Sequence, residues 1–171
     1  MRSRWHIGAG ARGVTRLALS RQAAKRRTAE VGDGPAARWR RRAEGELSAY
    51  LAGRRRGFTL RRDIRALPPF TRAVLRLVAH IPYGEVRTYS WVARQLGKPK
   101  AARAVGNALS RNPLPIFIPC HRVVRADGVI GPFALGSKWK EKLLVLEKRF
   151  GKSVTSHGPG GPVQSLPGLR R

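Results

Sequence analysis

Cysteine, acidic residues and long apolar runs are all scarce in this sequence of 171 residues. The single cysteine, Cys120, excludes an internal disulfide, and the four histidines, at positions 6, 80, 121 and 157, have no spacing suited to a structural zinc site. No apolar run approaches the ~20 residues that cross a bilayer, and the arginine-rich start lacks the apolar core of a signal peptide. We therefore expect a cytoplasmic protein without a membrane segment.

The shortage of acidic residues leaves a large positive charge. Lys and Arg number 36 against 9 Asp and Glu, which gives a formal net charge of +27. Nucleic acid is the favoured partner, because each Lys or Arg placed near a phosphate releases counterions and strengthens binding. The alternative is a genomic bias toward arginine over a merely soluble surface. Charge therefore favours nucleic acid without deciding the function.

The N-terminal 66 residues predict two strands of a hairpin, one short amphipathic helix and one further strand. These segments are 5–8, 14–19, 44–51 and 57–60. Residues 20–43 are rich in Arg and Ala and fit either a weak helix or a disordered linker.

After the Pro68-Pro69 pair, helical spacing of apolar residues becomes clear. Helices are predicted at about 70–81, 88–96, 99–109 and 138–150. The second and third, joined tightly at Gly97, are typical of a helix-turn-helix. The apolar run 113–119 is predicted to be extended and to end at Cys120, and residues 151–171 predict a disordered basic tail.

Cys120 is followed directly by His121. A free cysteine is usually a small, inert core residue, whereas a nearby imidazole is the usual means of forming a thiolate near neutral pH. Adjacent side chains on an extended segment point opposite ways, so a base role for His121 requires a backbone turn or a bridging water. Glu147 is the best-placed carboxylate to orient His121. A purely structural bond between His121 and Glu147 fits these residues equally well.

The segment Ile118-Pro119-Cys120-His121-Arg122-Val123-Val124 resembles the active-site motif of the O6-alkylguanine-DNA alkyltransferases. Further segments match that family in order and spacing: 81–86, Tyr89, 101–106, 112–113 and 140–147. This resemblance covers residues 68–150. A weaker resemblance, around 13–14 and from 47 to 58, indicates the latter half of the family's small N-terminal domain.

The resemblance implies an α/β chain with a small, shortened N-terminal α+β part and a mainly helical C-terminal domain containing the helix-turn-helix. We expect residues 1–66 to form the basic N-terminal domain and residues 67–150 the DNA-binding and alkyl-accepting domain. Residues 151–171 follow as the tail.

The resemblance also implies DNA repair without a cofactor or metal, in which Cys120 takes the alkyl group from O6 of guanine in one displacement. His121 would act through a water as the base, Glu147 would orient it, and Asn112 would brace the turn. A thioether offers no easy leaving group, so the protein would act once.

A guanine stacked in DNA cannot reach a buried thiol, so the nucleotide must rotate out of the helix. By resemblance, the helix with Ala102, Arg103 and Gly106 enters the minor groove of double-stranded DNA containing O6-alkylguanine. Arg103 would fill the gap, and Tyr89 would press on the flanking phosphate beside the base. Spacing alone would make Arg103 a solvated charge and Tyr89 a core aromatic. The protein is expected to be a monomer.

The loop that closes the pocket departs from the family pattern. Where the family commonly has a Tyr-Ser-Gly-Gly-like loop, this chain has Phe133-Ala134-Leu135-Gly136. Phe133 keeps an aromatic wall, Ala134 offers no side-chain donor to O6, and Leu135 adds bulk. The substrate pocket, for which Phe133, Ala134 and Val123 are candidates, is therefore expected to have an altered substrate range.

Three rival functions stay open at this point. A sensor of alkylated DNA would flip the base without accepting the group, but such proteins typically lack the acceptor cysteine. A structural nucleic-acid-binding protein would make Cys120 incidental. A thiol hydrolase would need an oxyanion site that no glycine-rich motif announces.

Overall fold

The computed structural model describes residues 4–20 and 33–151, which form the mixed α/β fold expected. The strands are β1 (Arg4–Gly10), β2 (Gly13–Ser20), β3 (Arg87–Thr88) and β4 (Val123–Val124). The helices are α1 (Pro35–Leu51), α2 (Pro69–Val78), α3 (Tyr89–Gln95), α4 (Ala102–Ser110) and α5 (Ser137–Phe150), with a 3-10 turn at Cys120–Arg122. Within the described ranges, no helix is both long enough and apolar enough to span a membrane. The tail predicted beyond Gly151 lies outside the described residues.

The predicted hairpin is confirmed: β1 and β2 pair antiparallel, with Trp5 opposite Leu19. Helix α1 packs on this hairpin and shares a buried cluster with it. The helix is longer than the predicted segment 44–51, because it begins at Pro35, where a proline at the first position is pre-organised for helix. Residues 35–43 are therefore helix, while 21–32 lie outside the described residues.

The strand predicted at 57–60 is wrong. Phe58 packs between the rings of Tyr50 and Phe117, and this side-chain packing replaces sheet pairing. Backbone pairing occurs a few residues later, where Val14 N donates to Arg61 O at 2.8 Å and Asp63 N donates to Val14 O at 2.8 Å. This segment therefore links the hairpin to the rest of the core.

The predicted helix-turn-helix pair is present as α3 and α4. Thr88 Oγ1 accepts a hydrogen bond from Trp91 N at 3.1 Å, as expected of an N-cap, and Gly97 follows the helix with a φ of 68°. Helix α4 begins at Ala102 instead of Pro99, after a turn closed by Ala101 N to Lys98 O. Helix α2 ends at Val78 instead of Ile81; Pro82 disfavours helical geometry at Ile81, the residue directly before it.

The extended run predicted at 113–119 is wrong: the segment folds into a buried loop. Ile118 N donates to Leu114 O at 2.8 Å, and Ile116 takes a φ of 73°. An apolar run of this length does not distinguish a strand from a buried loop, since either structure buries the apolar side chains. The loop leads into the 3-10 turn, after which β4 pairs parallel with β3.

Candidate active site

Cys120 opens the 3-10 turn that follows the buried loop. Cys120 N donates to Ile118 O at 2.7 Å, and Arg122 N donates to Pro119 O at 2.9 Å. We call Cys120–Arg122 the cysteine turn. The backbone therefore turns at the point where an extended segment would have separated Cys120 from His121, and both side chains are buried.

Asn112 ties the cysteine turn to the end of α4. Its Nδ2 donates to Ile118 O and to Cys120 Sγ, each at 3.1 Å, and its Oδ1 accepts from Leu114 N at 2.9 Å. The amide is buried and uses both of its polar atoms. The sulfur is thus held next to a hydrogen-bond donor that stabilises its anionic form.

The thiol of Cys120 is not ionised by its surroundings alone. Burial raises the pKa of Cys120 to about 11, although the Asn112 hydrogen bond and the positive charge of Lys140 act in the opposite direction. A nucleophilic role at neutral pH therefore needs a nearby proton acceptor.

The Glu147 carboxylate fixes the protonation pattern of His121. Burial alone would raise the pKa of Glu147, but its hydrogen bond to His121 and the charge and hydrogen bonds of Arg122 lower it to about 2. Glu147 Oε1, 2.6 Å from His121 Nε2, therefore accepts a hydrogen bond from the N–H at that nitrogen. Burial also lowers the pKa of His121, so the ring is neutral and its Nδ1 keeps a free lone pair.

Nδ1 of His121 is buried and has no hydrogen-bond partner among the residues that the structure describes. The ring makes no direct hydrogen bond to the sulfur. The basic atom of the ring is therefore the one that Glu147 does not use.

Arg122 and Gly84 also contact the Glu147 carboxylate. Arg122 donates from Nε to Glu147 Oε2 at 2.9 Å and from Nη2 to Oε1 at 3.0 Å. Its Nη1 donates to Ile81 O at 2.5 Å, and Gly84 N donates to Glu147 Oε2 at 2.9 Å. This bidentate pair fixes the carboxylate plane on which His121 depends.

Tyr50 reaches the same carboxylate from α1. Its hydroxyl donates to Glu147 Oε1 and lies 3.4 Å from His121 Nε2. The side chain is fully buried. The N-terminal part of the chain therefore contributes directly to the cluster around His121.

Lys140 is fully buried and lies close enough to Cys120 for their charges to interact. Its Nζ donates to Val123 O at 2.7 Å and lies 5.9 Å from the centre of the Tyr89 ring. Burial lowers the pKa of Lys140 to about 8, and the charge of Cys120 opposes this effect. A charged Lys140 would stabilise a thiolate at Cys120.

A cavity of about 420 Å³ opens onto Cys120. Most of the DNA-binding and pocket residues predicted from the sequence line it, namely Tyr89, Ala102, Arg103, Gly106, Phe133 and Ala134. Leu109, Ser110, Arg125 and Pro132 complete the lining. Val123 is not among the lining residues, because its side chain is buried in the core.

The sequence matches the family profile described as 6-O-methylguanine DNA methyltransferase, DNA binding domain, over residues 69–149. A methylated-DNA–protein-cysteine methyltransferase of Methanosarcina acetivorans is 44% identical over 110 residues, which are 63% of this chain and 68% of that protein. This chain belongs to the methylated-DNA–protein-cysteine methyltransferase family. The corresponding protein of Mycolicibacterium paratuberculosis is 45% identical over 104 residues, 61% of this chain and 62% of its own length.

A solved structure of a family member has the same fold. Mycobacterium tuberculosis OGT, crystallised in complex with DNA, superposes with a TM-score of 0.73 at 36% identity, covering 85% of this chain and 87% of that one. The agreement extends well beyond residues 69–149. The N-terminal part of this methyltransferase is therefore within the shared fold.

Sequence reasoning missed three residues around the methyltransferase site: Tyr50, Arg122 and Lys140. Arg122 lies inside the motif, but the residue pattern alone indicates no role for it. Lys140 was detectable, because it shares one face of α5 with Leu143 and Glu147 at spacings of three and four. Tyr50 carried no local signal, since its partner is 97 residues away.

Proposed function

We propose that this chain repairs DNA by transferring the alkyl group of an O6-alkylguanine to Cys120, once per molecule. The observation that supports this most is the position of Cys120, which lines the 420 Å³ cavity while the neighbouring His121 bonds Glu147. A nucleophile, a neutral base and a concave site then meet at one turn.

In the reaction, Cys120 Sγ attacks the alkyl carbon while the bond from that carbon to O6 breaks. The bonding pair goes to the guanine, which takes up a proton and becomes unmodified guanine. The proton of the thiol passes through a water to His121 Nδ1, and Glu147 stabilises the resulting imidazolium. The product is a thioether, from which water cannot displace the alkyl group, so the protein is consumed.

Asn112 and Lys140 help in the same step by favouring the thiolate. The Asn112 amide donates to the sulfur, and the Lys140 charge lowers the pKa of the thiol. Both effects oppose the cost of burying a negative charge. Asn112 also braces the loop before the cysteine turn through its bonds to Ile118 and Leu114.

Duplex DNA containing the damaged base is the proposed partner. Helix α4 would enter the minor groove, where Ala102 and Gly106 allow close approach and the exposed Arg103 fills the space of the rotated nucleotide. Tyr89 would press on the flanking phosphate and form one wall of the base pocket. We propose that the protein acts as a monomer in the cytoplasm, where its only thiol stays reduced.

The loop from Gly131 to Gly136 would determine which alkyl groups fit. A Cβ on Gly131 would lie 2.9 Å from the Tyr89 hydroxyl, so the loop packs tightly on that ring. Phe133 forms an aromatic wall, with its ring 6.0 Å from that of His121, and Ala134 lines the cavity without a polar group. A backbone N–H would then polarise O6 in place of a side-chain hydroxyl.

Intact-protein mass spectrometry tests the function directly. The protein and its Cys120→Ser variant are each incubated with a duplex that contains O6-methylguanine, and with an undamaged duplex as control. We expect the mass of one methyl group to be gained by the unmodified protein alone, and only with the damaged duplex. Tight binding of the damaged duplex without any mass gain would contradict transfer and place the protein among the damage sensors.

A further inference from the structure

A second cavity, of about 260 Å³, borders the cysteine turn. Its walls come from segments 56–58, 79–83 and 116–117, together with Arg62, Pro119 and Arg122. It shares no lining residue with the cavity that opens onto Cys120. We call it the arginine cavity. The cysteine turn therefore lies between two separate spaces.

The arginine cavity is lined by Arg56, Arg62 and Arg122, with His80 beside them, and none of its described lining residues is acidic. The charge of Arg122 is met by Glu147. Arg56 forms no ion pair with a described residue. Positive charge is thus concentrated in a concave site without a matching carboxylate on its walls.

Arg62 keeps donors available. Its Nη1 donates to Phe117 O at 3.0 Å, whereas Nε and Nη2 have no hydrogen-bond partner among the described residues. Burial lowers the pKa of Arg62, and the charge of Glu46 partly offsets this. Glu46, however, is engaged by Arg42, Arg55 and Thr59, so it does not neutralise the cavity.

Tyr83 lines the arginine cavity next to Arg122. Its hydroxyl is buried without a hydrogen-bond partner in the described structure, and its ring lies under the Arg122 guanidinium at 5.6 Å. That hydroxyl is closed off from solvent, so it does not donate to a ligand in the cavity, and Tyr83 contributes only its contact with the Arg122 guanidinium.

We propose that the arginine cavity binds a phosphate group. The planar guanidinium presents paired N–H donors that match phosphate oxygens, and Arg56 and Arg62 both have such donors free. Because Arg122 lines this cavity and also holds Glu147, a bound phosphate would be linked to the site around His121 through a single side chain.

Calorimetric titration with inorganic phosphate, against sodium chloride at matched ionic strength, tests this site. The variants are Arg62→Gln and Arg56→Gln, with Arg76→Gln as the matched control, because Arg76 is exposed on α2 and does not line the cavity. We expect saturable binding that weakens about tenfold in each cavity variant and stays unchanged in the control. Binding no stronger than that of chloride, or equal in all variants, would overturn the proposal.

Two further measurements are needed. The first distinguishes a loss of phosphate binding from a folding defect, and the second identifies the source of the phosphate. Arg62→Lys keeps the charge but loses the paired donors, so it should also weaken binding while the thermal unfolding midpoint stays close to that of the parent. If Arg62→Gln also weakens binding to undamaged duplex DNA and inorganic phosphate competes, the ligand is a backbone phosphate. If only phosphate binding falls, the ligand is a free phosphate.

This test does not depend on alkyl transfer. Phosphate binding is measured without damaged DNA, and the Cys120→Ser variant should bind phosphate as the parent does. A protein that fails to accept a methyl group can therefore still bind phosphate in the arginine cavity. Likewise, a protein that accepts a methyl group can lack phosphate binding.

Discussion

The hydroxyl of Tyr50 donates a hydrogen bond to Glu147 across 97 positions of the chain. The same oxygen, Oε1, accepts from His121 Nε2 and from Arg122 Nη2. All of these groups are buried. The orientation of His121 thus depends on a helix that the alkyltransferase motif does not include.

Tyr50→Phe should slow alkyl transfer and shift its pH dependence. The carboxylate loses one donor, so it becomes more basic and favours protonated His121, and the pKa of His121 rises. Because the base must be neutral, the acidic limb of the pH–rate profile should move to higher pH. Single-turnover transfer measured over a pH series checks this.

Tyr83→Phe is the matched control for that measurement, because the Tyr83 hydroxyl has no partner among the described residues. Its pH profile should match that of the parent. A Tyr50→Phe profile that is merely lower, without a shift along the pH axis, would show that Tyr50 serves stability alone.

Glu147→Gln should remove a pH dependence of stability. The pKa of Glu147 is lowered from 4.5 to about 2 in the folded state, so its contribution is complete above about pH 4.5 and is lost as the pH falls toward 2. That contribution is on the order of 3 kcal/mol. Urea unfolding between about pH 5 and pH 2 should show a steeper loss of stability in the parent than in the variant. Parallel curves for the two proteins would contradict the assignment.

Lys140→Met should make Cys120 less reactive at neutral pH. The Lys140 charge lowers the pKa of the thiol, and its loss should slow alkylation by iodoacetamide about tenfold for each unit by which the thiol pKa rises. The difference in alkylation rate between the parent and the variant should shrink above about pH 8, because Lys140 itself has a pKa of about 8 and loses its charge there. Lys142→Met, at an exposed position of the same helix, should react like the parent. A deficit that persists undiminished at high pH would exclude a charge effect.

Ala134→Ser should speed the transfer of a methyl group. Ala134 lines the cavity, and a hydroxyl there could donate to O6 as negative charge develops on that atom. We expect a rise of about tenfold, the value of a hydrogen bond to a charged group. Single-turnover rates with O6-methylguanine duplexes check this, with the exposed Ala126→Ser as control. An unchanged rate would show that the proposed backbone N–H is sufficient for O6 and that a side-chain donor adds nothing.

The sequence predicted those parts of the molecule that depend on local patterns. Thr88 and Gly97 mark the two ends of α3, because capping interactions act within one helical turn. The hairpin is predicted by the glycines that separate two segments of alternating apolar and polar residues. The apolar run before Cys120 predicts a strand where the structure has a loop, since hydrophobicity alone does not indicate where a buried segment bends. The sequence does not predict Lys140 as a site residue because lysines are rarely fully buried, and only the fold shows that Val123 O and the Tyr89 ring contact its ammonium group.

The loop before Cys120 also contains a β-branched residue in a conformation that such residues avoid, Ile116 with a φ of 73°. That cost is offset by contacts from elsewhere: Leu17 N donates to Pro113 O at 2.8 Å, and Arg62 donates to Phe117 O at 3.0 Å. Both donors precede residue 67. A fragment cut at the Pro68-Pro69 pair would keep the whole cysteine motif and lose these supports. The N-terminal part thus supports the loop before Cys120 through Leu17 and Arg62, and the carboxylate that orients His121 through Tyr50.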